Sequence, residues 1–470
     1  MWFSCAQEST TGGIMYQKIL ITNRGEIAVR IIRACRELGI ATVAVCSTAD
    51  REALHAQLAD ECICIGPPRP AESYLNMEQV LSAAIVSGAQ AVHPGFGFLS
   101  ENTKFARMCQ QCGIDFIGPS PECIEKMGDK SQARKTMIAA GVPVIPGMKE
   151  ATEDAEVAQA FADEIGYPVM IKASAGGGGK GMREAASKEE FAELFAVAQR
   201  EARQSFGDGQ MYVEKLLSGA QHIEFQVLGD KNGNIIQLGE RDCTIQRRHQ
   251  KMIEETPSPF LKEETRRKMG KAAVQAARAA GYWSAGTVEF LVDDEQNFYF
   301  MEMNTRIQVE HPVTELVTGI DLVKEMIRIA AGEPLSRAQS EIHCLGHAIE
   351  CRITAEDPER CFLPNAGKIT GLHLPGGNGV RVDTALYQGY EVPPFYDSML
   401  VKLIVHAPSR DEAIQKMRSA LGELVIEGIT TNVDFLYELV GSAEFAEADM
   451  RAINEMLSFG RQKGNLDAQR

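Results

Sequence analysis

The chain has 470 residues, 44% of them hydrophobic and 24% charged, with a formal net charge of -16. This length corresponds to about three domains of ~150 residues, and the composition excludes a mostly disordered chain. The acidic balance argues against a nucleic-acid partner, and the short apolar runs argue against a membrane span. Twelve cysteines without regular spacing predict reduced thiols and a cytoplasmic protein.

Two cysteine pairs, Cys62-x-Cys64 and Cys109-x-x-Cys112, have spacings that zinc sites also use. The first pair lies in a strand-like run and the second in a helical pattern. We therefore predict that these thiols act as small buried apolar side chains rather than as zinc ligands.

The N-terminal region alternates strand and helix patterns. Residues 1–14 lack both a basic segment and an apolar stretch, so we expect a non-structural leader there, with Met15 as the hypothetical start. A strand is predicted over 18–22, an amphipathic helix over 26–38 and a strand over 42–47, followed by strand-like runs at 90–92 and 116–118. This βαβ order predicts an α/β domain with a parallel sheet.

Breaks in the later pattern divide the rest of the chain. Pro143 and Pro146, with neighbouring glycines, indicate a domain edge, and a smaller α/β unit is predicted to continue to about Leu217. Hairpins and helices follow. The last predicted helix opens with the capping box Ser409-x-x-Glu412, and its apolar face consists of Ala413, Ile414, Met417, Ala420, Leu421 and Leu424.

A glycine run, Lys172-Ala-Ser-Ala-Gly-Gly-Gly-Gly-Lys-Gly181, follows a strand-like segment. Consecutive glycines let a phosphate approach main-chain N–H groups closely, and Lys172 adds a positive charge at the strand end. The run does not fit the Walker A pattern. A phosphate-binding loop and a flexible hairpin tip both remain open for it.

The segment from Gly286 to Asn304 has two strand-like runs around the polar residues 293–297, which predicts a hairpin. Symmetry about Glu295 and Gln296 would place Glu289 directly across from Glu302. Facing carboxylates repel each other unless a divalent cation lies between them. The hairpin therefore predicts a magnesium site that nucleotide phosphates would complete.

Every even-numbered residue from Glu302 to Glu310 is polar, namely Glu302, Asn304, Arg306, Gln308 and Glu310. An extended segment would present all five side chains on one side, which predicts a row that binds metal and anion, with Arg306 for an oxyanion and Glu310 as a base. A solvent-facing strand is the alternative. The basic cluster Arg247, Arg248, His249 and Lys251 fits a triphosphate, bicarbonate or a solvated face.

These segments resemble one family, the biotin carboxylases, which are ATP-grasp subunits of enzymes such as acetyl-CoA carboxylase. The resemblance runs from about Tyr16 to about Glu455, and its carriers are Asn23-Arg-Gly-Glu-Ile-Ala, His93-Pro-Gly-Phe-Gly-Phe-Leu-Ser-Glu101, Met127-Gly-Asp-Lys130, the Lys172 glycine run, Arg247-Arg-His-Gln-Lys251, Glu302-Met-Asn-Thr-Arg-Ile-Gln-Val-Glu-His-Pro312 and Phe395-Tyr-Asp-Ser-Met399. Phe96 and Ala175 stand where the family often has Tyr and Gly.

The resemblance implies a mixed α/β and α+β fold. It implies a Rossmann-like pre-ATP-grasp domain at 15–127, an ATP-grasp domain at 128–336 with a mobile lid at about 145–217, a C-terminal domain at 346–456, and a tail at 457–470.

The resemblance also implies a role for each matching residue. The implied ATP contacts are Lys130, Lys172, Gly178, Gly179, Glu214, Lys215, Leu217, His222, His249, Glu289 and Glu302. The implied metal ligands, for Mg²⁺ or Mn²⁺, are Glu289, Glu302 and Asn304. The bicarbonate site would be formed by Lys251, Arg306, Gln308 and Val309, the biotin contact by Arg352, and the catalytic set by Lys251, Arg306, Glu310 and Arg352.

The implied activity is ATP-dependent carboxylation of biotin on a biotin carboxyl carrier protein by bicarbonate, through carboxyphosphate. This is the first half-reaction of acetyl-CoA carboxylase, which forms malonyl-CoA for fatty acid synthesis. The chain contains no biotin-attachment sequence, so we expect a free subunit that works with a carrier and carboxyltransferase subunits, as a homodimer with contacts at Arg33, Glu37 and Arg381. The alternatives are a pyruvate or other acyl-CoA carboxylase, another ATP-grasp ligase, and a regulatory protein that binds nucleotide without catalysis.

Overall fold

The N-terminal part of the chain folds as a parallel α/β layer. The computed structural model describes residues 15–174, 181–217 and 219–457. The elements of this part are β1 (Lys18–Ile21), α1 (Gly25–Glu37), β2 (Ala41–Ser47), α2 (Leu54–Leu58), β3 (Glu61–Gly66), α3 (Met77–Ser87), β4 (Ala91–His93), α4 (Thr103–Gln111), β5 (Asp115–Phe116) and α5 (Pro121–Gly128).

The five strands form one parallel sheet in the order β3-β2-β1-β4-β5. Central strand β1 is apolar from Ile19 to Ile21, and these residues are fully buried, because helices cover both faces of the sheet. The predicted α/β domain is thus confirmed, with element ends that differ from the prediction by one or two residues.

A small antiparallel unit follows and corresponds to the predicted smaller α/β region. Its elements are α6 (Lys130–Ala139), α7 (Ala155–Ile165), β6 (Val169–Ala173), β7 (Met182–Ala185), α8 (Lys188–Phe206) and β8 (Met211–Lys215). The strands pair in the order β7-β6-β8. Phe191 and Phe195 on α8 stack on each other beneath this sheet and form its core with residues of β6 and β8.

The remaining elements form the largest sheet and its surroundings. They are β9 (Gln221–Gly229), β10 (Ile235–Arg247), β11 (Gln250–Thr256), α9 (Glu263–Ala280), β12 (Ser284–Val292), β13 (Phe298–Asn304), α10 (His311–Thr318), α11 (Leu322–Ala330), β14 (His347–Thr354), β15 (Glu356–Asp357), β16 (Leu363–Pro364), β17 (Gly367–Lys368), β18 (Gly371–His373), β19 (Val380–Thr384), β20 (Glu391–Val392), β21 (Met399–Ala407), α12 (Arg410–Glu423), β22 (Val425–Glu427), α13 (Val433–Val440) and α14 (Ala443–Ala446).

Eight strands of this region form one antiparallel sheet in the order β13-β12-β9-β10-β11-β14-β21-β19. Strand β11 pairs with β14 across the predicted domain boundary, with Ile253 opposite Cys351. The C-terminal region is therefore a continuation of the central sheet. Helix α12 packs on the large sheet as predicted. Ser409 caps its first turn, and the predicted apolar face is buried.

The prediction that the paired cysteines are buried is only partly right. Cys109 is buried, but Cys112 and both cysteines of β3, Cys62 and Cys64, are exposed. The error for β3 arises because it is an edge strand whose side chains are only partly covered. No helix within the described part of the chain combines the length and apolar character that crossing a bilayer requires.

A buried lysine, Lys402 on β21, joins the three regions of the fold. Its ammonium group lies 3.1 Å from Glu26 of α1 and 3.8 Å from Asp383 of β19, and it donates a hydrogen bond to the Val309 carbonyl at 3.0 Å. The Lys402 side chain has no solvent exposure. Its charge therefore compensates two buried acids from different regions.

We expect Lys402→Met to lower the free energy of unfolding by about 3–5 kcal/mol, because it leaves Glu26 buried without its cation and removes one of the two cations beside Asp383. Urea denaturation followed by fluorescence and circular dichroism measures this loss. Lys268→Met is the matched control, since Lys268 is 59% exposed and pairs with Glu264 one helical turn away. The control should change stability by less than about 1 kcal/mol. Equal midpoints for the two variants would contradict a compensating role for Lys402.

Candidate active site

The acidic hairpin forms with the predicted facing pair. Strands β12 and β13 are antiparallel, and Glu289 is the direct partner of Glu302. The register shifts immediately afterwards, since Phe290 pairs with Phe300 and Met301 is an extra residue on β13. The predicted symmetry therefore holds on the Asn304 side of this bulge and fails on the turn side.

Glu289 is the most heavily bonded acid of the site. Its carboxylate accepts hydrogen bonds from Asn304 at 2.7 Å and Gln308 at 2.9 Å, and it lies 3.3 Å from the Lys251 ammonium and 3.0 Å from the His222 ring. Burial alone would raise the pKa of Glu289, but Lys251 and His222 outweigh burial and hold that pKa well below its usual range. Glu289 is therefore an anion.

Glu302 has the opposite environment. Burial and then repulsion by Glu289 raise its pKa, with Lys130 opposing them. Among the described residues no hydrogen bond or ion pair neutralises the Glu302 carboxylate. Two facing carboxylates, with the Asn304 amide beside them, form an oxygen-rich donor set that suits a hard divalent cation such as Mg²⁺. The residues present thus fit the expected metal site.

The prediction that residues 302–310 form one extended segment is wrong. Strand β13 ends at Asn304, the chain bends at 305–306 and turns at 309–310, and α10 begins at His311. The chain must turn because α10 packs its own apolar face, including Val313 and Val317, against the large sheet.

Four of the five polar side chains nevertheless converge. The Arg306 guanidinium donates to the Asn304 amide oxygen at 3.0 Å and to the Gln308 amide oxygen at 2.9 Å, and Gln308 in turn bonds Glu289. A third Arg306 hydrogen bond, of 2.8 Å, goes to Glu101 at the end of the N-terminal motif. Arg306 is thereby fixed with its planar group at the wall of the cleft.

Glu310 lies apart from this row, behind the cleft wall. It is fully buried, with the Lys251 ammonium at 2.5 Å and an Arg352 nitrogen at 2.9 Å. Burial would raise the pKa of Glu310, but Lys251, Arg352 and Arg241 hold it well below the usual range. The side chain is therefore a charged base that two cations screen from the cleft.

Lys251 joins the two halves of the site. Besides Glu310, it contacts Glu224 at 2.6 Å and Glu289 at 3.3 Å, so one ammonium group bridges three carboxylates. Arg352 has a similar position on the other side of Glu310, where Glu254 binds its Nε at 2.6 Å. Both cations line the cleft.

The cleft has a volume of about 1240 Å³ and lies between the N-terminal sheet, the small unit and the large sheet. The structure brings together in its walls nearly all of the residues that the resemblance implies. They are Lys130, Lys172, Glu214, Lys215, Leu217, His222, His249, Lys251, Glu289, Glu302, Asn304, Arg306, Gln308, Val309 and Arg352. Gly178 and Gly179 lie outside the described residues, and Glu310 is buried beside the cleft instead of lining it.

Three of the implied nucleotide contacts, Lys172, Glu214 and Lys215, make contacts within the small unit. Lys172 pairs with Glu214 across neighbouring strands, and Lys215 donates to the carbonyls of Gly166 and Tyr167 at 2.9 and 3.1 Å. Burial lowers the pKa of Lys130, although Glu302 opposes the shift. These lysines place positive charge at the end of the cleft where the glycine run begins.

Sequence reasoning missed several residues that support the site. Glu224 and Arg241 are fully buried and form an ion pair at 2.6 Å, which fixes the carboxylate that contacts Lys251. Glu254 binds Arg352. The one local signal was the alternation of side chains along a strand. Glu224 lies two residues beyond His222, so the two could share a face of a strand, and Glu254 also lies in a strand-like run.

Comparisons with known proteins cover almost the whole chain. Three family profiles match in order: "Biotin carboxylase, N-terminal domain" at residues 15–124, "Carbamoyl-phosphate synthase L chain, ATP binding domain" at 129–338, and "Biotin carboxylase C-terminal domain" at 350–454.

Similar proteins agree with these profiles. The chain is 55% identical to a biotin carboxylase of Nostoc sp., over 93% of this chain and 97% of that protein. It is 53% identical to a pyruvate carboxylase subunit of Methanothermobacter thermautotrophicus, over 93% and 89%. Its fold matches the crystal structure of the biotin carboxylase domain dimer of Hydrogenobacter thermophilus 2-oxoglutarate carboxylase, in complex with MgADP, ADP and bicarbonate, with a TM-score of 0.89 and 50% identity over 92% and 96% of the chains. The chain therefore belongs to the biotin carboxylase family of ATP-grasp ligases.

Proposed function

We propose that this chain uses ATP and bicarbonate to carboxylate biotin attached to a carrier protein. The observation that carries the proposal is the contact of Lys251 and Arg352 with Glu310, directly beside the facing pair Glu289 and Glu302. A proposed base buried beside the cleft, two cations in the cleft wall and an acid pair that suits a metal ion thus lie next to one another. Transfer of a carboxyl group through a phosphorylated intermediate needs each of these groups.

Glu310 is the proposed base that removes the proton of bicarbonate. In the free protein its low pKa makes it a weak base, because Lys251 and Arg352 stabilise its charge. A bicarbonate anion bound at Lys251, Arg306, Gln308 and the Val309 N–H would share these cations and so raise the basicity of Glu310 where it is needed. The resulting carbonate oxygen attacks the γ-phosphorus of ATP, ADP leaves, and carboxyphosphate forms.

The metal has a limited and defined role in this proposal. Glu289, Glu302 and Asn304 would hold Mg²⁺ or Mn²⁺, which offsets the charge of the nucleotide phosphates when bound. Lys130, Lys172 and His249 line the same cleft and are the proposed phosphate contacts. The further ATP contacts proposed are Gly178, Gly179, Glu214, Lys215, Leu217 and His222.

The second stage takes place at the guanidinium groups. Carboxyphosphate decomposes to CO₂ and phosphate, and the phosphate removes a proton from the biotin ureido nitrogen. Arg352 and Arg306 would stabilise the ureido oxyanion, since a guanidinium stays protonated in a dry site. Glu254 and Glu101 hold the two guanidinium groups in place through hydrogen bonds of 2.6 and 2.8 Å.

We further propose that the chain is a cytoplasmic subunit of acetyl-CoA carboxylase, the enzyme that forms malonyl-CoA for fatty acid synthesis. Its proposed partners are a biotin carboxyl carrier protein and carboxyltransferase subunits. The similar proteins include a pyruvate carboxylase subunit and a 2-oxoglutarate carboxylase domain. A homodimer is also proposed. Of the expected contacts, Arg33 is exposed, whereas Glu37 pairs with Lys324 and Arg381 pairs with Asp383 within the chain.

The full chain is expected to hydrolyse ATP only when free biotin, bicarbonate and Mg²⁺ are all present, because each takes part in the proposed sequence of steps. A coupled assay for ADP, with each component omitted in turn, measures this. Hydrolysis that ignores biotin but needs an amine or another carboxylate would favour a different ATP-grasp ligase. With a biotinylated carrier and carboxyltransferase added, labelled bicarbonate should reach acetyl-CoA; label in pyruvate instead would contradict the acyl acceptor and leave biotin carboxylation intact.

Glu310→Gln should lower biotin-dependent ATP hydrolysis by about 10²–10⁴-fold, because the amide cannot take the bicarbonate proton. Affinity for MgADP, measured by calorimetry, should stay within a few-fold, since Glu310 lies behind the cleft wall. Glu325→Gln serves as control: Glu325 is also a buried glutamate, but it belongs to α11 and pairs with Arg328. An E310Q enzyme with the activity of E325Q would refute the assignment of the base.

Glu302→Gln should have two effects of opposite sign. The ligand-free protein should unfold at a higher temperature, because the raised pKa of Glu302 means that its charged form is disfavoured in the fold. Affinity for MgADP should fall by at least about tenfold, since a charged oxygen ligand is lost. Affinity of the unaltered protein should also decline as the pH falls, because protonation of Glu302 competes with the metal.

Glu295→Gln, at the exposed turn of the same hairpin, is the control for both measurements. It should alter neither the melting temperature nor the MgADP affinity. A Glu302 variant that is less stable and binds MgADP normally would show that the facing pair is not a metal site.

A further inference from the structure

The turn between β10 and β11 has a strained backbone. Arg247 pairs with Gln250 across the two strands, so Arg248 and His249 form a two-residue turn. Both turn residues have positive φ, 51° for Arg248 and 64° for His249. This is the pattern of a type I′ turn, in which glycine and asparagine are favoured because most side chains are strained at positive φ. The turn conformation is therefore unfavourable for the residues that form it.

The strained turn carries groups of the proposed active site. His249, Gln250 and Lys251 line the cleft, and the first two are exposed. A strained backbone persists only where the surrounding structure holds it in place. On the β11 side, the contacts of Lys251 with Glu224 and Glu310 fix the end of the turn. On the β10 side, the contact comes from the C-terminal region.

Arg247, the last residue of β10, contacts that region directly. Its guanidinium carbon lies 4.0 Å from the centre of the Phe362 ring, and one of its nitrogens donates a hydrogen bond to the Cys361 carbonyl at 2.9 Å. A guanidinium stacked on an aromatic face gains a cation–π attraction as well as packing. Of the predicted basic cluster, His249 and Lys251 thus belong to the cleft wall, whereas Arg247 contacts the C-terminal region.

Phe362 is well fixed in the C-terminal region. It is only 8% exposed, it belongs to the apolar core that includes residues of α12 and α13, and its ring meets Phe435 edge to face at 5.4 Å. Its backbone N–H donates to the Asp357 carbonyl at 2.7 Å. Cys361 and Phe362 also have positive φ, 55° and 59°. A firmly anchored ring therefore meets an exposed, strained turn.

We propose that Phe362 and Arg247 form a clamp that holds the Arg248–His249 turn in its strained conformation and so positions His249 for the phosphates of the nucleotide. This role rests on the proposed nucleotide contact of His249. When a turn adopts its binding conformation only part of the time, the apparent affinity falls by that fraction. Bound nucleotide selects the competent conformation, so the clamp acts on affinity and much less on kcat. Phe362 and Arg247 are thus positioning residues.

Phe362→Leu should weaken MgADP binding by the full chain about threefold to tenfold in calorimetry, because it removes a cation–π contact that holds the turn. Arg247→Met removes the cation from the other side of the contact and should weaken binding to a similar degree. Phe362→Tyr keeps the aromatic face and should bind MgADP as the unaltered chain does.

Phe445→Leu is the matched control. Arg410 lies over the Phe445 ring at 5.1 Å, so this is another cation–π pair of the C-terminal region, but it joins α12 to α14. Phe445 is fully buried, so its replacement should lower the melting temperature at least as much as Phe362→Leu. Its MgADP affinity should equal that of the unaltered chain.

Relief of the turn strain separates positioning from a general loss of stability. Arg248→Asn places at an exposed turn position a residue that tolerates positive φ. Combined with Phe362→Leu, it should recover most of the lost MgADP affinity, because the turn then depends less on the clamp. In the coupled assay, Phe362→Leu should raise KM for MgATP by about the factor seen in calorimetry and change kcat by less than about twofold.

A folded Phe362→Leu protein that binds MgADP as tightly as the unaltered chain would overturn the clamp. A loss of affinity that Arg248→Asn does not reverse, or an equal loss in Phe445→Leu, would do the same. An unaltered chain that fails to bind MgADP would contradict the proposed function and the clamp together, so the two failures are distinguishable.

Discussion

The contact of one ammonium group, that of Lys251, with three carboxylates is the interaction on which the site depends. Glu224, Glu289 and Glu310 come from different strands and turns, and each would be costly to bury as an anion without a cation nearby. Arg241 and Arg352 complete the compensation. The protein therefore has its charges arranged before any substrate enters, which is how a preorganised site lowers the cost of charge that develops during reaction.

Local features of this architecture could be predicted from the sequence. The parallel sheet follows from the alternation of strand and helix patterns, and the facing pair Glu289 and Glu302 follows from a short polar turn between two strands. Both depend on residues that are close along the chain. The bulge at Met301 could not be predicted, because it moves the register by one residue without changing the alternation that the sequence displays.

Contacts between distant residues were beyond sequence reasoning alone. Lys251 and Glu310 are 59 residues apart, and Glu310 and Arg352 are 42 apart, so their meeting depends on how β11, β14 and the turn before α10 are stacked. Resemblance to a family supplied these residues, whereas the period-two pattern misplaced Glu310 on the cleft wall. The exposure of Cys62 was missed for a related reason, since an edge strand and a central strand have similar local sequences.

The pairing of β11 with β14 means that the boundary between the second and third regions is a boundary only along the chain. In space, the backbone hydrogen bonds of a single sheet cross it. A fragment that stopped before β14 would leave β11 as an open edge, with Glu254 and Glu255 deprived of Arg352, His347 and Arg410. Joining the chain up to β11 to a different C-terminal region would therefore require a replacement strand that matches β11 in register and charge. A flexible linker alone would leave β11 unpaired.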